Sequence, residues 1–578
     1  MLKTLLSQVK EYKAPSIVTP IFMLGEVVME AIIPLLMGMI VEEGVEEGDL
    51  NRIYFLGLIM VVCALLSLTF GILSGVYSAK AATGFAKNLR KAMYERIQTY
   101  SFSNIDKFST AGLVTRLTTD VSNVQNAYQM ILRMCMRAPA TIITAMALSF
   151  YKSPKIATIY LVAVLILGVF LFFIVKMGMK YFSEVFEKYD DLNASIQENV
   201  SAIRVVKANV REDYENKKFS KAAENVYRLF IKAEKTVVIN WPVMMFTVYT
   251  CILLISWLGG KMIVAGDLNV GDMSTLLAYC MNILMSLMMI SFIFVMISMS
   301  IASGRRITEV IEEEPDIVNP ENPIMDVKDG SIEFKDVKFK YNKDAEDLVL
   351  KDISLSIKSG ETIGIIGGTG SAKSSLVSLI SRLYDVTDGA VLVGGVDVRE
   401  YDLKELRESV SVVLQNNVLF SGTIYENLRW GKEDATEEEC REAAKLACAD
   451  EFIEKMPEKY ESKIEQGGTN VSGGQRQRLC IARALIKKPK VLILDDSTSA
   501  VDTATDAKIR EAFREKIPNT TKIIIAQRIS SVQDADRIIV MNEGMVDSFD
   551  THENLLKNNK IYKEVFEEQT SGSGDFDL

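Results

Sequence analysis

Thr362-Ile-Gly-Ile-Ile-Gly-Gly-Thr-Gly-Ser-Ala-Lys-Ser-Ser375, continued by Leu376-Val-Ser-Leu-Ile-Ser-Arg-Leu-Tyr384, decides the fold of the second half of this chain. Thr362 to Ile366 is a short apolar run of the kind buried in a parallel sheet, and the stretch after Ser375 has helical character. Strand, glycine-rich loop, helix is the context in which backbone N–H groups wrap phosphates, a lysine reaches the β- and γ-phosphate oxygens, and a hydroxyl meets Mg2+. Those roles fall to Gly367, Gly368, Thr369, Gly370, Ser371, Ala372, Lys373, Ser374 and Ser375, with Lys373 as the charge and Ser374 as the hydroxyl. Ala372 stands where the pattern has glycine, and a Cβ there restricts the backbone.

Further along, Lys490-Val-Leu-Ile-Leu-Asp-Asp496 reads as a second buried strand ending in Asp495, the carboxylate that holds Mg2+ in phosphate-loop NTPases. Between the two motifs lies Val471-Ser-Gly-Gly-Gln475. With this stretch in place the chain resembles the ATPase domain of ABC transporters. Tyr341 falls where the family has an aromatic that stacks on adenine, Gln415 matches its Q-loop, and Ser499-Ala-Val-Asp502 matches its D-loop. The resemblance implies a pair of such domains sandwiching two ATP molecules. In that arrangement Ser472, Gly473, Gly474 and Gln475 serve the ATP on a partner's loop, Asp502 lies in the nucleotide site, and Ser374, Gln415 and Asp495 are the Mg2+ positions.

The resemblance is lopsided. Asp496 stands where the family has a glutamate that polarises the attacking water, and it is shorter by a methylene. Gln527, in Ile523-Ile-Ile-Ala-Gln-Arg528, takes the place of the family's switch histidine and cannot become cationic. Phosphoryl transfer depends mainly on positioning, and a misplacement of about 1 Å costs on the order of 100-fold. The chain is therefore expected to bind ATP and hydrolyse it poorly. A second half-transporter supplying the missing residues would give a heterodimer with one competent site. A slow homodimer is the alternative.

Composition sets the wider frame. Of 578 residues, 49% are hydrophobic and 24% charged, with a mean hydropathy of +0.16. A net charge of −10 argues against a nucleic-acid partner. The 7 cysteines contain no CxxC pair and suggest neither a disulfide framework nor a zinc site. Cys440, Cys448 and Cys480 are expected to be buried thiols. The single histidine, His552, follows a capping Thr551 and is expected at the surface.

The apolar residues cluster into runs long enough to cross a bilayer of roughly 30 Å. They lie at about 16–41, 53–79, 130–151, 156–178, 236–260 and 273–302. The expected domains are a membrane domain at 1–310, a linker at 311–329, an ATPase domain at 330–570 and a flexible tail at 571–578. Lys3, Lys10 and Lys13 before the first run, and Lys80, Lys87, Arg90 and Lys91 after the second, predict a cytoplasmic N-terminus and ATPase domain. The run is too long for a cleaved signal peptide, and only about 15 residues precede it, too few for a leader-cleaving protease domain.

Lys80 to Gln129 and Lys176 to Lys235 read as helices projecting beyond the membrane. Gly112 to Asp120 and Glu198 to Lys207 resemble the family's coupling segments. Glu26 and Glu30 lie at i, i+4 within the first run; they bind a cationic substrate or pair with a basic residue of another helix. The methionines between Met273 and Met299 suit either helix packing or varied apolar ligands.

The expected fold is thus an α-helical membrane domain with six transmembrane helices and long cytoplasmic extensions, followed by an α/β P-loop NTPase domain of ABC type. The resemblance extends to an exporter-type half-transporter in the cell membrane, and within it to the degenerate-site subunit of bacterial heterodimeric multidrug exporters. ATP and Mg2+ are the expected cofactors; a second half-transporter, membrane lipids and a small amphipathic substrate are the expected partners. An ATP-gated channel or regulator, or a lipid or peptide exporter, is the alternative.

Overall fold

The computed structural model describes residues 1–342 and 345–571. The expected tail, beyond Ser571, lies outside them. The chain divides into two units: Met1–Thr99 with Ser109–Glu313, and Tyr100–Phe108 with Glu314–Leu578. Tyr100–Phe108 is a short segment that groups with the second unit although it lies between membrane helices in sequence.

The long helices, with the short helix of that segment, are α1 (Lys13–Met39), α2 (Leu50–Gln98), α3 (Phe102–Phe108), α4 (Val121–Lys152), α5 (Pro154–Ser201), α6 (Glu212–Val238), α7 (Asn240–Val264) and α8 (Val270–Glu312). Among the described residues, 6 helices are long and apolar enough to cross a membrane. The 49 residues of α2 span about 70 Å at 1.5 Å per residue, more than twice a bilayer core. The Asp49 carboxylate starts this helix by accepting from the backbone N–H of Asn51 and Arg52. Between α4 and α5 the turn is sharp: Ser153 is extended (φ −153°) before Pro154, which opens the next helix.

Packing in the first unit relies on close approach and on satisfied hydroxyls. Gly38 and Gly271 let α1 and α8 touch backbone to backbone; a Cβ built on Gly271 would lie 2.1 Å from the Gly38 carbonyl oxygen. Beside that contact Thr275 donates to the Pro34 carbonyl at 2.9 Å, and fully buried Tyr279 donates to Ala31 at 2.7 Å. Gly112 to Asp120 also lies in this unit. Asp120 is 1% exposed and accepts from Ser303 (2.8 Å) and Arg306 (2.7 Å). This segment is held within the membrane unit; the segment that packs with the second unit is α3.

The second unit is built on two sheets. One contains β1 (Ile332–Phe339), β2 (Leu350–Ile357) and β4 (Asp388–Val393). The other contains β3 (Thr362–Gly367), β5 (Val410–Val413), β6 (Val491–Asp495), β7 (Thr521–Ile525), β8 (Arg537–Asn542) and β9 (Met545–Asp550). The larger sheet runs β9-β8-β3-β7-β6-β5. Its inner strands are parallel, with Ile525 paired to Ile365 on one side and to Asp495 on the other. Every residue of β6 and of β7 is buried, as expected of parallel strands covered on both faces. The register brings the ends of three strands to one rim.

His552 is not a free surface residue. It is half-buried, its Nδ1 lies 2.7 Å from the hydroxyl of fully buried Tyr562, and its ring meets Tyr562 and Phe566 edge-on. Thr551 caps its helix as expected. Cys440 and Cys480 are buried, whereas Cys448 is half-exposed.

Candidate nucleotide site and the membrane charge cluster

The rim formed by β3, β6 and β7 carries the loop Gly367–Ser375, Asp495, Asp496 and Gln527, at the carboxyl ends of parallel strands where α/β folds bind ligands. The loop after β3 leads into α9 (Lys373–Ile380). Lys373 folds back over it, donating to the carbonyls of Gly367 (2.8 Å) and Gly368 (2.9 Å). Burial pushes its ammonium down, against the opposing pull of Asp495 and Asp496. Ala372 is left-handed, at φ 69° and ψ 26°, so the position expected to want glycine adopts a glycine conformation while carrying a Cβ. That costs about 1–2 kcal/mol. Ala372→Gly is accordingly expected to stabilise the ATPase unit by up to about 1 kcal/mol, read as a raised thermal midpoint against the unsubstituted protein.

Asp495 is 6% exposed. Burial raises its carboxyl above the usual range; a hydrogen bond from Ser374 and the charge of Lys373 oppose this, while Asp496 adds to it. Asp496 follows at φ 47°, with its backbone N–H on the Ile525 carbonyl at 3.0 Å. Its side chain is also tied to the neighbouring strand: Gln527 Nε2 donates to Asp496 Oδ2 at 2.7 Å. The two positions singled out as unusual thus bond directly to each other.

Ser472 caps α10 (Gly473–Ile486), accepting from the Gln475 N–H while the Gln475 side chain accepts from Ser472. This capping box leaves Gly473 and Gly474 in the first turn of a 14-residue helix. A Cβ on Gly474 would meet the Ala500 carbonyl at 2.7 Å, so glycine is required for contact with the segment after β6. Gln477 locks that contact, donating to Ser499 (3.2 Å) and accepting from the Ala500 N–H (3.0 Å). Asp502 caps α11 (Thr503–Lys516). Gln415 is exposed, two residues beyond β5.

Tyr341 is 49% exposed, with its hydroxyl 2.8 Å from Ser375 at the start of α9. An exposed ring beside the phosphate loop is suited to stacking on a base. Tyr384, which the sequence reading left unassigned, meets Tyr341 edge-on at 5.0 Å and donates to Asp106 of α3 at 2.7 Å. Phe102 of α3 also contacts Tyr384, and Asn104 donates to the Glu314 carbonyl at 3.1 Å. The signal available in the sequence was Phe102-Ser-Asn-Ile-Asp-Lys-Phe108, aromatic at both ends and polar between.

In the membrane unit, Glu26 and Glu30 converge on one guanidinium. Arg137 of α4 reaches Glu26 Oε1 at 2.7 Å and Glu30 Oε1 at 2.7 Å. Pairing with a basic residue of another helix is therefore realised. Gly71 of α2 admits the cluster, since a Cβ there would lie 3.2 Å from the Glu26 carboxyl.

Comparison with known proteins agrees with this architecture. The family model for the ABC transporter transmembrane region matches residues 17–307, and the family model for the ABC transporter matches residues 350–499. The chain belongs to the ABC transporters: it is an exporter-type half-transporter, with its membrane domain and its ATPase domain fused, whose ATPase is coupled to transport. It is 38% identical, over 98% of its own length and 99% of the other's, to the uncharacterized ABC transporter ATP-binding protein YfiB of Bacillus subtilis. It is 30% identical, over 98% and 99%, to the putative multidrug export ATP-binding/permease protein YgaD of the same organism. Its fold matches that of a bacterial Atm1-family ABC exporter solved with ATP bound, at a TM-score of 0.83 and 22% identity, covering 97% of this chain and 99% of that one.

Proposed function

We propose that this exporter subunit works in a heterodimer and moves amphipathic or hydrophobic compounds out of the cell. Its own loop, Gly367–Ser375, binds ATP and hydrolyses it slowly, while Ser472–Gln475 completes the competent site of a partner chain. The observation that carries this reading is the Gln527–Asp496 hydrogen bond at 2.7 Å. A shortened carboxylate and a neutral amide hold each other where an extended base and a protonatable switch would face the γ-phosphate.

The donor set suits Mg2+, which takes hard oxygen ligands and keeps several waters. The Ser374 hydroxyl, the Asp495 carboxylate and the Gln415 side-chain carbonyl would hold it, and bound there it neutralises charge on the phosphates. Tyr341 would stack on the base, and Asp502 would set the start of α11 beside the nucleotide. The N-terminus and the ATPase domain face the cytoplasm in this reading, following the basic residues around α1 and α2. Two carboxylates against one guanidinium leave the Glu26–Arg137–Glu30 cluster with a net negative charge, which favours cationic amphiphiles. The similarity to YgaD supports the multidrug class.

The test is ATP hydrolysis by the purified chain alone and with a half-transporter carrying the glutamate and histidine. The chain alone is expected to be slower by about tenfold or more. Equal rates would overturn the unequal pair and favour a homodimer.

A further inference from the structure

The C-terminal helix α12 (Lys560–Ser571) reaches the switch loop through one side chain. Gln569 Nε2 donates to the Gln527 carbonyl at 2.9 Å, and Gln569 Oε1 accepts from the Ile529 N–H at 2.8 Å. A single amide therefore closes on the carbonyl of one residue and the N–H of the residue two further on, as a neighbouring β-strand would. Only an amide side chain offers a donor and an acceptor at this spacing; a carboxylate only accepts and an ammonium only donates.

The helix that presents Gln569 is itself anchored. Tyr562 is fully buried and lies 2.7 Å from His552 Nδ1. Its backbone N–H donates to Asn559 at 2.8 Å, and Asn559 donates to Asp547 of β9 at 2.6 Å. Val565 and Phe566 pack on the main core of the unit. The one histidine of the chain thus helps to fix the helix that holds the switch loop.

We infer that Gln569 is a positioning residue for ATP hydrolysis: it clasps the backbone of residues 527–529, and so sets where the residue at 527 points relative to Asp496. The path runs from α12 through Gln569 to Gln527, whose side chain ends on Asp496. Because the clasp is to backbone groups, it acts whichever side chain stands at 527. The inference does not depend on this site being slow.

The test uses the full-length chain with Gln569→Ala and Gln569→Glu, each measured for steady-state ATP hydrolysis and for hydrogen exchange in residues 526–531. Gln569→Ala is expected to raise exchange there by about tenfold, and to lower kcat by at least about threefold while KM for ATP stays within about twofold. Gln569→Glu keeps the acceptor for Ile529 and loses the donor to Gln527, so its kcat is expected between those of the alanine variant and the unsubstituted protein. Unchanged exchange overturns the clasp. Faster exchange with unchanged kcat, or a raised KM at constant kcat, overturns its role in positioning. Loss of exchange protection across the whole ATPase unit assigns Gln569 to stability alone and also overturns it.

Discussion

Replacing Asp496 by Glu together with Gln527 by His is expected to raise ATP hydrolysis at this chain's own site by on the order of 10- to 100-fold. Asp496 is fixed at both ends, by its backbone N–H on the Ile525 carbonyl at 3.0 Å and by Gln527 on its carboxylate at 2.7 Å. It cannot advance toward a nucleotide without breaking one of these bonds. A glutamate extends the carboxylate by about 1.5 Å, the length of one carbon–carbon bond, and a histidine at 527 can donate while carrying positive charge. The single changes are expected to gain less, because an extended carboxylate facing Gln527 has a neutral partner and a histidine facing Asp496 has a short one. Pairs in direct contact are non-additive in this way. The measurement is phosphate release by the purified full-length chain at saturating ATP, with ATP affinity held as a control. No gain in the double variant would place the deficiency elsewhere, with Ala372 the first position to change.

How much of this was legible in the sequence follows from how local each feature is. The phosphate loop and the all-buried β6 and β7 are written in contiguous residues, so glycine placement and apolar runs expose them, and the signature Val471–Gln475 is legible through its family resemblance. The left-handed Ala372 was foreseen in kind, because a missing glycine in a loop of fixed shape has a definite cost. The contacts that join distant stretches were not legible. Arg137 meets Glu30 across a sequence separation of 107 residues, and no periodicity encodes which of Arg133 and Arg137 makes the pair. Gln569 lies 42 residues beyond Gln527 on a helix whose pattern shows only an apolar face. The grouping of Phe102 to Phe108 with the ATPase unit is a contact of the same kind, made by Asp106 with Tyr384 far along the chain, as is that of Asp120 with Ser303 and Arg306. His552 was read as a surface residue because it has no ligand partners in sequence; its partner is a tyrosine one helix later.

Removing the Arg137 side chain is expected to destabilise the membrane unit by about 2–3 kcal/mol, between the cost of breaking a buried ion pair from one side and the small worth of an exposed one. Glu26 is 8% exposed, and its second carboxylate oxygen is buried without a hydrogen-bond partner. Among the described residues Arg137 supplies the donor to Glu26, while also holding Glu30 at 2.7 Å. Without it two carboxylates share an apolar span. Arg137→Ala should accordingly lower the yield of folded protein and its thermal midpoint in detergent. The triple variant Glu26→Met, Glu30→Met, Arg137→Met removes every charge of the cluster with apolar side chains of similar length, and such replacements are often neutral or stabilising. It should recover most of the lost stability. If the triple variant is as unstable as Arg137→Ala, the arginine acts through packing and not through charge. If Arg137→Ala unfolds like the native chain, the cluster is hydrated and the pair contributes little. The folded triple variant then separates structure from substrate recognition. Loss of export of cationic amphiphiles with neutral ones still moved would assign the net negative charge of the cluster to the substrate path, and equal export of both would leave it a structural brace between α1 and α4.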